Sequence, residues 1–251
     1  MRLLARWGIA TIGLLHVMIG LIALGVATGR GSGEADQSGA IAQISRIPGG
    51  IVLVWIVLIG MLALFTWQLM TALLANKSSL RSRWGFRIVE LGKAVGYLVI
   101  AATAFTFARG SSTSTAELTS NMSAALIKTP VGAVVLVIIG LVVLIVGISF
   151  VVSGVTGRFT EAIRVPRGLA GITTTALGAI GYVAKGLVLG VAGVLFALAP
   201  FTLDHDSASG IDGALKALVE LPYGAIALAL TGVGVIAYGF FFILRARLVR
   251  L

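Results

Sequence analysis

The chain is expected to be an all-α integral membrane protein whose six transmembrane helices form three tandem two-helix units, with short amphipathic helices in the connectors on one side. Three observations predict this. Its 251 residues are 58% hydrophobic and only 11% charged, with a mean hydropathy of +1.07, outside the range of soluble domains. Six apolar runs approach the roughly 20 residues needed to cross a bilayer. Finally, the spacing of Gly8, Gly13 and Gly20 returns at Gly181, Gly186 and Gly193.

The runs cover Trp7–Thr28, Gly50–Ala75, Ile88–Ala108, Val131–Gly154, Thr174–Ala199 and Tyr223–Leu244. The boundaries of the last three are sharpened by Pro130, Pro200 and Pro222, since proline suits a helix start or a position just past its end. Membrane β-strands would be shorter and would alternate polar with apolar residues, so all six runs are read as helices. The first has Arg2 and Arg6 before it and small residues near Ala27, as a cleaved leader would. It is nevertheless expected to be retained, because its glycines match an internal span and its removal would break the alternation of the loops.

Charge segregates by loop. Outside the spans, thirteen basic residues fall on the side of the termini: Arg2, Arg6, Lys77, Arg81, Arg83, Arg87, Lys93, Arg158, Arg164, Arg167, Arg245, Arg247 and Arg250. Five fall on the other side: Arg30, Arg46, Arg109, Lys128 and Lys216. The positive-inside rule therefore places both termini in the cytoplasm. The net charge of +10 is a topology signal, with attraction to anionic lipid as a secondary reading and no nucleic-acid role.

A single membrane domain is expected over residues 1–251, with units at about 1–76, 84–157 and 172–247. Each unit has a span, a connector, a Pro-x-Gly and a second span. The anchors are Pro48-Gly49-Gly50, Pro130-Val131-Gly132 and Pro222-Tyr223-Gly224. Each connector carries an apolar stripe. Ile211, Ala214, Leu215, Leu218 and Val219 form the fullest; Ile41, Ile44 and Ile47, and Leu118, Met122, Leu126 and Ile127, form partial ones. These helices are too short to span and should lie at the membrane interface or dip into it. Ser112-Thr113-Ser114-Thr115 reads as a flexible polar loop.

With Gly8-Ile9, Gly96-Tyr97 and Gly181-Tyr182 opening the units, Gly39-Ala40-Ile41 and Gly213-Ala214-Leu215 in two connectors, and the three Pro-x-Gly entries, the chain resembles the bacterial membrane family called domain of unknown function 1206. The resemblance covers nearly the whole chain. It implies tandem two-helix repeats in a bacterial inner membrane and carries no catalytic residues.

Two sets of residues stand out. Gly13 and Gly20, Gly140 and Gly147, Gly186 and Gly193, and Gly232 and Gly239 are each seven apart, and Gly190 adds a small-x-x-x-small step after Gly186. Helices in lipid associate through close packing, so these faces are expected to pack within the bundle or against a second copy. The second set is polar. Lys185 sits within the fifth apolar run, where an ammonium costs roughly 2.5–3.5 kcal/mol on insertion scales. Its stem could snorkel to the interface, or it could pair with Glu90. His16 lies one turn beyond Ile12, the first-unit equivalent of Lys185, so the first and fifth spans could share one polar locus; the third span offers only Ile100 and Ala104 there. Lys185, His16 and Glu90 form the expected locus, although Glu90 also reads as an exposed partner of Lys93.

With no cysteines, thiolate chemistry is excluded. No metal site, cofactor or catalytic set is expected; Asp204-His205-Asp206 reads as a solvated turn. The leading functional expectation is a non-enzymatic accessory or scaffold component, with the bilayer and a membrane-protein partner or a homo-oligomer as its contacts. The alternative is a small transporter or an ion or proton pathway through Lys185, His16 and Glu90.

Overall fold

A computed structural model describes residues 2–30, 33–74, 80–202, 208–219 and 222–248. Asp204-His205-Asp206 lies outside them. The six spanning helices are α1 (Arg2–Ala27), α3 (Gly50–Leu73), α4 (Leu80–Ala108), α6 (Pro130–Thr156), α7 (Leu169–Thr202) and α9 (Gly224–Leu248). All six are long and apolar enough to cross a membrane, so the chain is a multi-pass membrane protein. The connector helices are α2 (Gln37–Arg46), α5 (Thr115–Ile127) and α8 (Ile211–Val219). They gather on one face of the bundle, the connector face, with both termini on the other.

The most extensive packing is between units. α1 lies against α9, α6 against α7 and α3 against α4, whereas α7 with α9 and α1 with α3 make smaller contacts. The spans thus follow one another in an arc, in the order α4, α3, α1, α9, α7, α6. The two helices of the second unit stand at its ends, with no comparable seam between them among the described residues. α6 is the most lipid-facing, with 17% of its apolar window buried.

Glycine forms two of the three large seams. A methyl group on Gly13 would lie 2.6 Å from the Gly239 carbonyl oxygen, and one on Gly20 2.6 Å from that of Gly232. Likewise Gly140 meets Gly193 at 2.7 Å and Gly147 meets Gly186 at 2.8 Å. Antiparallel helices with glycines seven apart bring them together at the same two levels, so backbones touch where side chains would hold them apart. On α4, which packs on α3 and α2, the buried residues include the alanines Ala94, Ala101 and Ala104. Gly190 differs: a methyl group there would reach only Leu144 Cδ1, at 4.0 Å.

The Pro-x-Gly entries have a shared physical cause. A Cβ on Gly50, Gly132 or Gly224 would collide with a carbonyl oxygen at the end of the preceding connector helix, that of Ile44, Leu126 or Val219. The chain can therefore turn from connector to span only if this residue is glycine. The middle residue is left-handed at Gly49 and Tyr223, with φ of 76° and 62°. In the second unit Pro130 opens α6 directly, and Thr129 caps it by accepting from the Gly132 N–H at 3.1 Å.

Some expectations change. α7 does not stop before Pro200 but runs through it to Thr202; a proline in the last turn frees only one carbonyl, near an end where carbonyls are unpaired anyway. α2 and α8 dip into the bundle, burying Ile41, Ile44, Ala214 and Leu215. α5 instead exposes Leu118 and Met122 and buries Ser123, which donates to the Ala208 carbonyl at 3.0 Å. The polar loop before α5 is tied down. Ser114 caps the helix by accepting from the Glu117 N–H at 2.9 Å and donates to Glu34 Oε1 at 2.5 Å, and the Thr115 N–H donates to Ser38 Oγ at 3.0 Å.

Candidate functional site

His16 lies near the middle of α1 and Lys185 halfway along the 34-residue α7. α9 brings them together. Gly13 lets α1 approach α9 one turn from His16, and Gly181 lets α7 press on the backbone of Tyr238 one turn from Lys185. Gly234 makes the same approach to Ala184. Lys185 Nζ is 3.0 Å from His16 Nε2 and 3.4 Å from the Tyr238 hydroxyl oxygen.

The hydrogen bonds assign the histidine tautomer. His16 Nδ1 lies 2.8 Å from the Ile12 carbonyl oxygen, which can only accept, so Nδ1 carries the hydrogen. Nε2 then presents its lone pair to the lysine. The Tyr238 ring centroid is 4.5 Å from Lys185 Nζ and that of Phe150 5.5 Å away, both within cation–π range. No carboxylate pairs with Lys185 among the described residues. The lysine therefore neither snorkels nor uses Glu90. It is held midway along α7 by a neutral imidazole and aromatic faces.

Glu90 lies elsewhere. It sits on the α4 face that also buries Ala94, and its Oε1 pairs with Lys93 Nζ at 2.9 Å. The pair expected to be exposed is half so: the Lys93 side chain is 50% exposed and that of Glu90 7%. The polar locus is accordingly Lys185, His16 and Tyr238. Sequence reading missed Tyr238, whose signal was a polar aromatic residue beside Gly239 inside an apolar span.

Towards the termini face, Tyr238 leads into an aromatic cluster. Tyr182 packs at 5.4 Å from Tyr238 and 5.0 Å from Phe159, and Phe159 meets Phe241 edge-on at 5.2 Å. Phe159 comes from the short 3-10 turn Arg158–Ala162 between α6 and α7, which inserts it against Gly178. Arg245 Nη1 donates to the Tyr182 hydroxyl at 3.3 Å, and its guanidinium lies 5.0 Å from the Phe242 ring centroid.

Towards the connector face, Lys185 and His16 line a cavity of about 20 Å³, room for one water molecule, whose wall on that side includes Ile211 and Leu215 of α8. Beyond Leu215 lies a second chamber of about 230 Å³, bordered by Ala23 and Val26 of α1, Leu228 of α9, and Asp212 and Lys216 of α8. Leu215, 2% exposed, is common to both. Asp212 holds the chamber wall in place: Oδ1 accepts from the Ala35 N–H at 2.9 Å and Oδ2 pairs with Lys216 at 2.6 Å. The hydrogen bond and the charge of Asp212 raise the pKa of Lys216. Nearby Asp36 caps α2 by accepting from the Gly39 N–H at 2.9 Å and the Ser38 hydroxyl at 2.7 Å. Burial raises its pKa, and these hydrogen bonds oppose the shift only in part.

Comparisons with known proteins agree with the repeat architecture. Over 107 residues the chain is 31% identical to an uncharacterized protein, YxxB, of Bacillus subtilis (strain 168). That stretch covers 42% of this chain and 38% of the relative's length. No solved structure matches the chain. The family described as Domain of Unknown Function (DUF1206) matches at residues 7–75, 91–157 and 180–248. Three matches leave little of the chain outside the repeat, and the protein belongs to the DUF1206 family.

Proposed function

We propose that the protein is a non-enzymatic pathway for an ion or proton, operated at the junction of α1, α7 and α9. The observation that carries this reading is the 3.0 Å contact between Lys185 Nζ and His16 Nε2 in mid-membrane, directly below a cavity. Ionisable groups at such depth are costly, and a packing role alone would be met more cheaply by leucine. The orientation expected from the loop charges puts the connector face outside a bacterial inner membrane and both termini in the cytoplasm. On that orientation the chambers lead inward from the outer face, and the Tyr238, Tyr182 and Phe159 cluster closes the cytoplasmic side.

The accessory or scaffold reading, with a membrane-protein partner or a second copy, has less support. All nine packing glycines face atoms of this same chain, eight of them so closely that an added Cβ would lie within 3.0 Å of a neighbour, and α2 and α8 bury Ile41, Ile44, Ala214 and Leu215. Surface for a partner remains on the lipid-facing sides of α4 and α6 at the ends of the arc.

The test is reconstitution of the purified chain in lipid vesicles, with ion and proton movement followed for the wild type and Lys185→Met. Movement that needs the lysine supports the pathway. Vesicles that are as tight as protein-free ones, together with a stoichiometric protein partner on native purification, would favour the scaffold.

A further inference from the structure

We infer that the ion is a small monovalent inorganic anion, admitted from the connector face to Lys185 past Leu215 of α8; this rests on the pathway reading above. Basic groups occur at three levels of the column: Lys216 at the outer chamber, Lys185 at mid-membrane and Arg245 beyond Tyr182. The carboxylate bordering the outer chamber, Asp212, is already engaged by Lys216 and by the Ala35 N–H. A cation descending from that chamber would meet an ammonium with no carboxylate paired to it among the described residues, in surroundings too apolar to screen the repulsion. An anion would meet attraction at Lys185 and at Arg245, while at the outer chamber the charge of Lys216 is balanced by Asp212, with Glu34 and Asp36 close by.

The donors fit as well. The ammonium has three N–H donors, and His16 and Tyr238 take two, leaving one for the cavity that Lys185 lines. Arg245 Nε is buried without a hydrogen-bond partner among the described residues, a further donor beyond Tyr182. Size sets the class. At about 20 Å³ the inner cavity takes a single small species stripped of its water, and apart from Lys185 and His16 its walls are aliphatic. Weakly hydrated halide-like ions suit such a site, whereas multivalent or organic anions do not.

Leu215 lines both chambers, so it is the constriction this reading assigns between them, and it sits on a nine-residue helix held to the first connector by the Asp212–Ala35 hydrogen bond.

The full chain is reconstituted in vesicles loaded with potassium chloride or potassium gluconate, valinomycin is added to carry the potassium, and anion release is recorded. Chloride should leave and gluconate should not. Lys185→Met should slow chloride release by about tenfold or more, as expected where a mid-membrane ion loses its counter-charge; Lys185→Arg should retain much of it, and Leu215→Ala should speed it severalfold, all with unchanged helix content by circular dichroism. Gluconate released as fast as chloride, or chloride release indifferent to Lys185→Met, overturns the anion assignment, and an unchanged rate in Leu215→Ala overturns the constriction. Proton movement that depends on Lys185 without chloride release overturns the anion while the pathway stands. If neither ion moves, both fall.

Discussion

Lys185 and His16 belong to helices that share no large seam, yet their nitrogens meet at 3.0 Å because both helices pack on α9, at Gly181 and at Gly13. The site is thus a product of two glycine contacts with a third helix. Disturbing those contacts should disturb the site without touching either polar residue.

Lys185→Met is expected to leave the protein as stable as the wild type or more so. The methionine fills the same volume, and removing a buried charge without leaving a partner charge stranded is often neutral or stabilising by about 1–4 kcal/mol. Thermal unfolding in detergent checks this. A marked fall in midpoint would show that the lysine serves the fold.

Gly186 and Gly190 should part company. Gly186→Ala places a methyl group 2.7 Å from the Gly147 carbonyl oxygen and should cost about 1–3 kcal/mol, as overpacking does. Gly190→Ala, with only Leu144 Cδ1 at 4.0 Å, should stay within about 0.5 kcal/mol of the wild type. Equal losses at the two positions would contradict this α6–α7 seam.

Tyr223 holds a left-handed backbone at φ 62° while its side chain is 84% exposed. A non-glycine residue pays roughly 1–2 kcal/mol for that conformation. Tyr223→Gly should therefore stabilise the protein by about 1 kcal/mol, and Gly49→Ala at the matching turn should destabilise it by a similar amount. Unfolding midpoints of the two variants should move in opposite directions.

Asp36 gives a pH signature. Its pKa in the folded protein is raised from the ordinary 3.8 by burial, so folding strengthens its hold on the proton. The resulting stabilisation is full below the unfolded value and is lost as pH rises through the raised folded one. Asp36→Asn keeps the cap and cannot titrate. Relative to Asp36→Asn, the wild type should lose stability from about pH 4 upwards and then level off. A difference that does not change with pH would show that the carboxyl is not buried as described.

Much of this was legible in the sequence for a physical reason: spanning helices, connector stripes and unit boundaries depend on local length, period and turn chemistry. Six apolar runs must be helices because no water satisfies their backbones, and each Pro-x-Gly marks where a connector turns into a span. The repeat also put His16 and Lys185 on equivalent faces a turn apart. Only the tertiary structure decided that α1 pairs chiefly with α9 and α6 with α7, that Glu90 turns away to Lys93 while Tyr238 joins the lysine, and that Gly190 has room where Gly186 has none. Apolar faces in lipid look alike by hydropathy; which of them meet is settled by how closely their backbones and side chains fit.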